Sequence, residues 1–238
     1  MTTLPTWTVS AANLPEHARN PIHTDAGGRA AGYPGALVAG VTVYAYLTRP
    51  AAEGWGLPWL ERGTAEVRFL SPVFADDTVV CTPVPSELGA VIEARVGGEV
   101  RATCAVTEGP LGDLEPMADG PALEPARFRL EGEWAEYGVR AGEDFGLYAS
   151  EGIAHPALWP AMANNLVHRQ LAQGSWIHTR SRIRHLGLAT MGAEVLVEAN
   201  EIKRFDTRSG ERALLDVRIT QDGRSIAAIE HEALIALN

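Results

Sequence analysis

An imidazole and an amide stand three positions apart near the start of the chain, His23 and Asn20, in the run His17-Ala18-Arg19-Asn20-Pro21-Ile22-His23-Thr24-Asp25. Histidine is the side chain whose ordinary pKa lies nearest neutrality, so it can take up and release a proton in one turnover. His23 follows a Pro-Ile pair and precedes two polar residues, which predicts an ordered loop. Asn20 can orient a water or a ligand carbonyl, although Asn-Pro also starts ordinary turns. Downstream lies Arg29-Ala30-Ala31-Gly32-Tyr33-Pro34-Gly35-Ala36-Leu37-Val38-Ala39-Gly40. Gly35 and Gly40 would let a ligand approach a helix start, whose free N–H groups stabilise an oxyanion. They would equally serve close helix packing.

A second set of polar residues lies past the middle of the chain. Glu151 and His155 could form an acid/base pair, and Asn164 and His168 are i,i+4 neighbours on one helical face. The plainer expectation is that these groups satisfy loop carbonyls. Further on, Ile177-His178-Thr179-Arg180-Ser181-Arg182-Ile183-Arg184 puts Arg180 and Arg182, with Arg184, on one face of a strand. That row could grip phosphates, or form a solvated face balanced by carboxylates. The sequence has no Gly-x-Ser-x-Gly elbow, phosphate loop, Cys-x-x-Cys or His-Glu-x-x-His. No metal site and no cofactor are expected.

The stretch from His17 to Gly40 resembles the signature of the MaoC-like (R)-specific enoyl-thioester hydratases and dehydratases. In that family an Asp-x-Asn-Pro-[Leu/Ile]-His block precedes a small-residue stretch and a Gly/Pro turn that opens a central helix. Asn20, Pro21, Ile22 and His23 match in order, and Asp25 and the Ala30–Gly35 run, with Tyr33, match common family wording. The family's catalytic aspartate falls at Ala18, which cannot accept a proton. The resemblance implies a hotdog fold and an acyl-CoA or carrier-protein thioester as substrate, with water added or removed across a 2,3-double bond. It implies catalytic roles for His23, Asn20 and Asp25. Tyr33, Gly35, Gly40, Glu151, His155, Arg180 and Arg182 would contact the substrate. With Ala18 in place, hydrolysis, isomerisation or cyclisation of the thioester substrate stays open, as does a degenerate protein that only binds it.

The elements that must position these residues repeat. Leu37–Leu47 is an apolar run whose length suits a buried helix, followed by strand-like runs at Thr64–Leu70, Thr78–Pro83, Ala90–Val96 and Val100–Thr107. Ala157–Leu171 is again helix-like, followed by Trp176–Ile183, Glu194–Arg204, Ala213–Thr220 and Ser225–Leu237. The stretch 109–125 is rich in proline and glycine with little periodicity and predicts a linker. The expected division is therefore 1–108, linker 109–125, and 126–238. One helix and four strands, occurring twice, predict an α+β fold; with the resemblance this becomes a double hotdog in which two sheets join edge to edge.

Composition bounds the rest. The chain's 238 residues carry a net charge of −10 with no basic stripe, which argues against nucleic acid. No apolar run approaches the roughly 20 residues of a membrane span. The first residues have neither the basic nor the apolar region of a signal peptide. Cys81 and Cys104 sit in strand-like runs and read as buried thiols of a reducing compartment. Together these predict a soluble cytoplasmic protein, with a homodimer of double hotdogs as one way to cover its edges.

Overall fold

The computed structural model describes residues 3–110 and 112–238. The first half opens with strand β1 (Trp7–Ser10), two 3-10 turns (Pro15–Arg19 and Pro21–His23) and a short helix α1 (Asp25–Ala30). The long helix α2 (Gly40–Arg62) follows, then β2 (Thr64–Phe69), β3 (Thr78–Pro85), β4 (Ala90–Val96) and β5 (Glu99–Thr107). The second half contains β6 (Ala126–Arg129), α3 (Tyr137–Arg140), α4 (Leu147–Glu151), α5 (Leu158–Gln170), β7 (Ile177–His185), β8 (Glu194–Thr207), β9 (Gly210–Gln221) and β10 (Arg224–Leu237).

The described strands form one antiparallel sheet in the order β1-β3-β4-β5-β2-β7-β10-β9-β8-β6. This order is palindromic: each half contributes the same five-position pattern, and β2 meets β7 at the centre with Glu66 opposite Arg182. Alternation sets the inner face. In β9, Ala213, Leu215, Val217 and Ile219 are all buried, and in β4 the same holds for Ala90, Ile92 and Ala94. Helix α2 lies against β4, β5 and β7, helix α5 against β8 and β10, and the two helices touch. Their apolar side chains join one continuous core, in which each fully buried Leu or Trp contributes on the order of 2 kcal/mol. The arrangement is a double hotdog of class α+β.

Two details depart from expectation. Each half has five strands rather than four, because β1 and β6 span only four residues each. Helix α2 starts at Gly40 and runs on past Leu47 to Arg62, carrying Pro50 and Pro58 and bending where Gly56 leaves helical backbone at φ 61°, ψ −149°. In the stretch 112–125 the Leu123 N–H donates to Ala199 O, Asn200 Nδ2 to Ala118 O, and Arg184 to the carbonyls of Gly112 and Asp113. Cys81 and Cys104 are free and buried. No described helix is long and apolar enough to cross a membrane.

Candidate active site at the seam of the halves

The loop that carries His23 is built from locally determined pieces. Proline opens each of its two 3-10 turns, where a missing N–H costs nothing. Thr24 caps α1 by accepting from the Gly27 N–H at 3.1 Å. Helix α1 then packs so tightly that a Cβ on Gly27 or Gly28 would lie 1.9 Å from Pro21 O or 2.1 Å from Gly35 O. Only glycine permits that approach. Asp25 closes the turn: one carboxylate oxygen accepts from the Ala36 N–H at 3.1 Å and the other meets Arg29 at 3.4 Å.

Asn20 joins the halves. Its Nδ2 donates to Trp176 O at 2.8 Å, and its Oδ1 faces the N–H groups of Ile22 and Trp176, each at 3.4 Å. The amide is thus committed to backbone just ahead of β7, in the other half. Asn20→Ala should cost about 1–3 kcal/mol, because it leaves buried backbone groups unpaired. A drop in the guanidinium midpoint at unchanged slope would show it, and an unchanged midpoint would dismiss the staple.

His23 Nδ1 lies 2.8 Å from Leu37 O. A carbonyl only accepts, so Nδ1 carries the proton and Nε2 keeps a lone pair. Burial holds the imidazole pKa below its ordinary 6.5, outweighing the opposing pull of the Leu37 carbonyl. The ring is therefore a neutral base at neutral pH. Two adjoining cavities meet at His23, Asn20, Asn164 and Trp176, and enclose about 620 and 750 Å³ of empty space including their mouths. Glu16, His17, Tyr137 and His168 stand in the wall of the first, and Val38, Val43, Phe69 and Val73 in the wall of the second. Helix α2 begins without a capping side chain, and Ala39 and Val41 line the first cavity while Gly40 lines the second. The residues of a helix start therefore stand at the wall beside His23. A Cβ on Gly40 would lie 3.2 Å from the Phe69 ring, so glycine here also serves packing.

The structure sorts the remaining candidates. Tyr33 lines the second cavity, whereas Asp25, Gly35 and Glu151 line neither. Glu151 is exposed at the end of α4, away from the acid/base pairing with His155 that was one of the two readings. His155 Nε2 instead faces Glu143 Oε2 at 3.3 Å, both buried, while its Nδ1 accepts from the Ala157 N–H at 3.1 Å. Arg49 approaches the same carboxylate at 4.0 Å. The arginine row is also spoken for: Arg180 pairs with Glu230 at 2.7 Å and Arg182 with Glu66 at 2.8 Å. These carboxylates project from the neighbouring strands β10 and β2, where Glu66 and Glu230 both stand opposite Arg182, so the row forms a balanced sheet face. Asn164 and Asn165 both line the first cavity, and their Oδ1 atoms have no partner.

Sequence reasoning missed His17. Its Nε2 lies 3.1 Å from the Tyr137 hydroxyl and 3.2 Å from the Thr42 hydroxyl, and its ring centre is 5.9 Å from that of His23. Burial, helped by His23, Arg140 and Arg19 nearby, pushes its pKa down to about 3. Ala18, one position on, is exposed and lines neither cavity. A second buried group, His178–Ser181–His231, backs the second cavity, with the Ser181 hydroxyl 2.8 Å from each ring.

Three solved structures place this geometry among known folds. A conserved hypothetical protein from Mycobacterium tuberculosis described as having a double hotdog fold aligns at TM-score 0.64 and 13% identity, over 98% of this chain and 96% of its own. A MaoC-like dehydratase aligns at TM-score 0.60 and 14% identity, over 97% and 98%. The acyl-CoA thioesterase II TesB2 from Mycobacterium marinum aligns at TM-score 0.52 and 14% identity, over 84% and 89%. No protein-family model matches the chain, and no curated protein matches it in sequence. The fold is the double hotdog shared by these proteins.

Proposed function

We propose that the chain is a MaoC-like hydratase/dehydratase of acyl thioesters, with His23 as its single proton carrier. The observation that carries this reading is the neutral imidazole fixed by Leu37 O at the meeting of two cavities, beside the start of α2. In hydration, His23 Nε2 takes a proton from water while the oxygen bonds to C3. The π electrons move toward the thioester carbonyl, whose oxygen is stabilised by the N–H groups of the α2 start. The imidazolium then gives its proton to C2, and dehydration reverses each step. Residues 1–108 would carry the chemistry, 126–238 would complete the pocket, and 109–125 would join them.

One observation favours a neighbouring reaction. Among the described residues lining the first cavity the carboxylate is Glu16, and it is held by Arg140 at 2.6 Å. A lone histidine suits moving a double bond between the 3,4- and 2,3-positions, which needs one base and no water. Incubating 2-enoyl and 3-enoyl thioesters in D2O separates the readings. A 3-hydroxyacyl product carrying deuterium at C2 supports hydration, interconversion of the two enoyl isomers supports isomerisation, and release of free thiol alone would replace both with hydrolysis.

The carrier's phosphate has a better candidate than the sheet arginines. A surface hollow sharing Arg19, Trp134, Asn165 and His168 with the first cavity also displays Arg169, beside an Arg127 that pairs with Glu194 at 2.8 Å. Arg169→Glu should raise KM for an acyl-CoA about tenfold and leave kcat nearly unchanged, since reversing a phosphate-facing charge costs on the order of 1–2 kcal/mol. Arg182→Gln should leave both constants alone. Equal effects of the two substitutions would remove the hollow from consideration.

A further inference from the structure

We infer that His17 holds the reacting water against His23, supplying from the position before Ala18 the second polar contact that the exposed residue 18 cannot. The inference rests on the hydratase reading above and assigns a further residue to it.

The argument begins with hydroxyl hydrogens. Thr42 Oγ1, Tyr137 Oη and His17 Nε2 form a triangle with sides of 2.9, 3.1 and 3.2 Å. Thr42 and Tyr137 are buried, and these contacts are the ones their hydroxyls make. With Nε2 as acceptor, both hydroxyl hydrogens have somewhere to go: one to Nε2 and one to the other hydroxyl oxygen. With Nε2 carrying a hydrogen, three hydrogens would compete for two oxygens, and one buried hydroxyl would be left unmatched at a cost of roughly 1–3 kcal/mol. The triangle therefore fixes the His17 proton on Nδ1, the ring's remaining hydrogen-bonding atom.

His17 and His23 are then complementary. His17 offers a donor at Nδ1, and His23 offers an acceptor at Nε2, because Leu37 O holds the His23 proton on Nδ1. Their ring centres are 5.9 Å apart and the planes are inclined by 62°. Two hydrogen bonds of about 2.8 Å, one to each ring, bridge such a gap through a single oxygen. A water so held gives its proton to His23 and accepts from His17, which orients a lone pair toward C3. Both rings are kept neutral by burial, so neither repels the other across the water. His17 touches the reacting water but exchanges no proton with it.

The test uses the full chain with a 2-enoyl thioester. His17→Ala should lower kcat on the order of 100-fold, comparable to removing one aimed donor, with KM within about twofold. His17→Asn, whose amide N–H reaches the place of Nδ1–H, should stay within about tenfold of wild type. Imidazole nitrogen NMR on the unliganded protein at pH 7.5 should show His17 as the uncharged Nδ1–H tautomer. Tyr137→Phe combined with Thr42→Val should release that tautomer and lower kcat with His17 still present. A wild-type chain inert toward enoyl thioesters overturns the functional reading and this role with it. Wild-type turnover with His17→Ala unchanged in kcat, or a His17 proton on Nε2, overturns the role alone and leaves His23 in place.

Discussion

Replacing His23 with alanine should lower kcat/KM for an enoyl thioester by about two to four orders of magnitude, the usual loss when a positioned proton carrier is removed. The fold should survive it. The side chain's described hydrogen bond is the one to Leu37 O, and losing a bond of that kind costs about 1 kcal/mol. The melting temperature should therefore move by only a few degrees. His23→Gln should be as inactive as the alanine variant, since an amide can hold a water but cannot take its proton. Burial lowers the His23 pKa from 6.5, so in the wild type the base stays neutral below that value. The acid limb of kcat/KM should fall below pH 6.5, and activity should be lost as pH drops through the folded pKa. Turnover within about threefold of wild type in His23→Ala would take His23 out of the chemistry, whatever the cavities look like.

The sequence made some of this site legible and hid the rest for identifiable reasons. His23 and Asn20 stand in a contiguous run, and the apolar segment opening α2 follows directly, so both could be placed from local pattern. The strands with clear alternation, β9 above all, were readable for the same reason. Strands β1 and β6 were not, because four residues are too few to show a period of two. Helix α2 was read short because its continuous apolar run ends at Leu47, yet Trp59 and Leu60 further on are buried and keep the second stretch in place. Pairings across the fold had no local signal at all. His17 meets Tyr137 across 120 positions, and Arg182 meets Glu66 across 116. Arg182 looked like a phosphate ligand only while its strand had no neighbour. Glu143 was passed over in favour of Glu151 because proximity in sequence stood in for proximity in space.

The protein should lose stability steeply on mild acidification, beginning well above the range where carboxylates titrate. Burial depresses several histidines: His17 and His231 to about 3, His185 to about 4, and His178 in the same direction with His231 beside it. In the unfolded chain each returns to about 6.5. Between those values the unfolded state binds more protons than the folded one, so unfolding is favoured as pH falls. The stability these groups contribute is complete above about pH 6.5 and is lost progressively toward pH 3–4. Each histidine adds a slope of about 1.4 kcal/mol per pH unit, so three together approach 4 kcal/mol per unit, against a total stability of about 5–15 kcal/mol. Cooperative unfolding is expected between about pH 6 and pH 4. The paired carboxylates Glu66 and Glu201 have pKa values already below 4.5 and act only at the acid end of that window. Guanidinium unfolding at pH 7.5 and pH 5.5, followed by tryptophan fluorescence, should show the midpoint falling sharply at the lower pH. His185→Leu separates the cause from general acid damage. His185 is fully buried against Trp59 at 5.0 Å and its Nε2 has no partner, so leucine removes an unmet polar atom together with the titration. That variant should match the wild type at pH 7.5 and exceed it at pH 5.5. A midpoint that does not change between the two pH values would mean that the buried rings accept protons without unfolding.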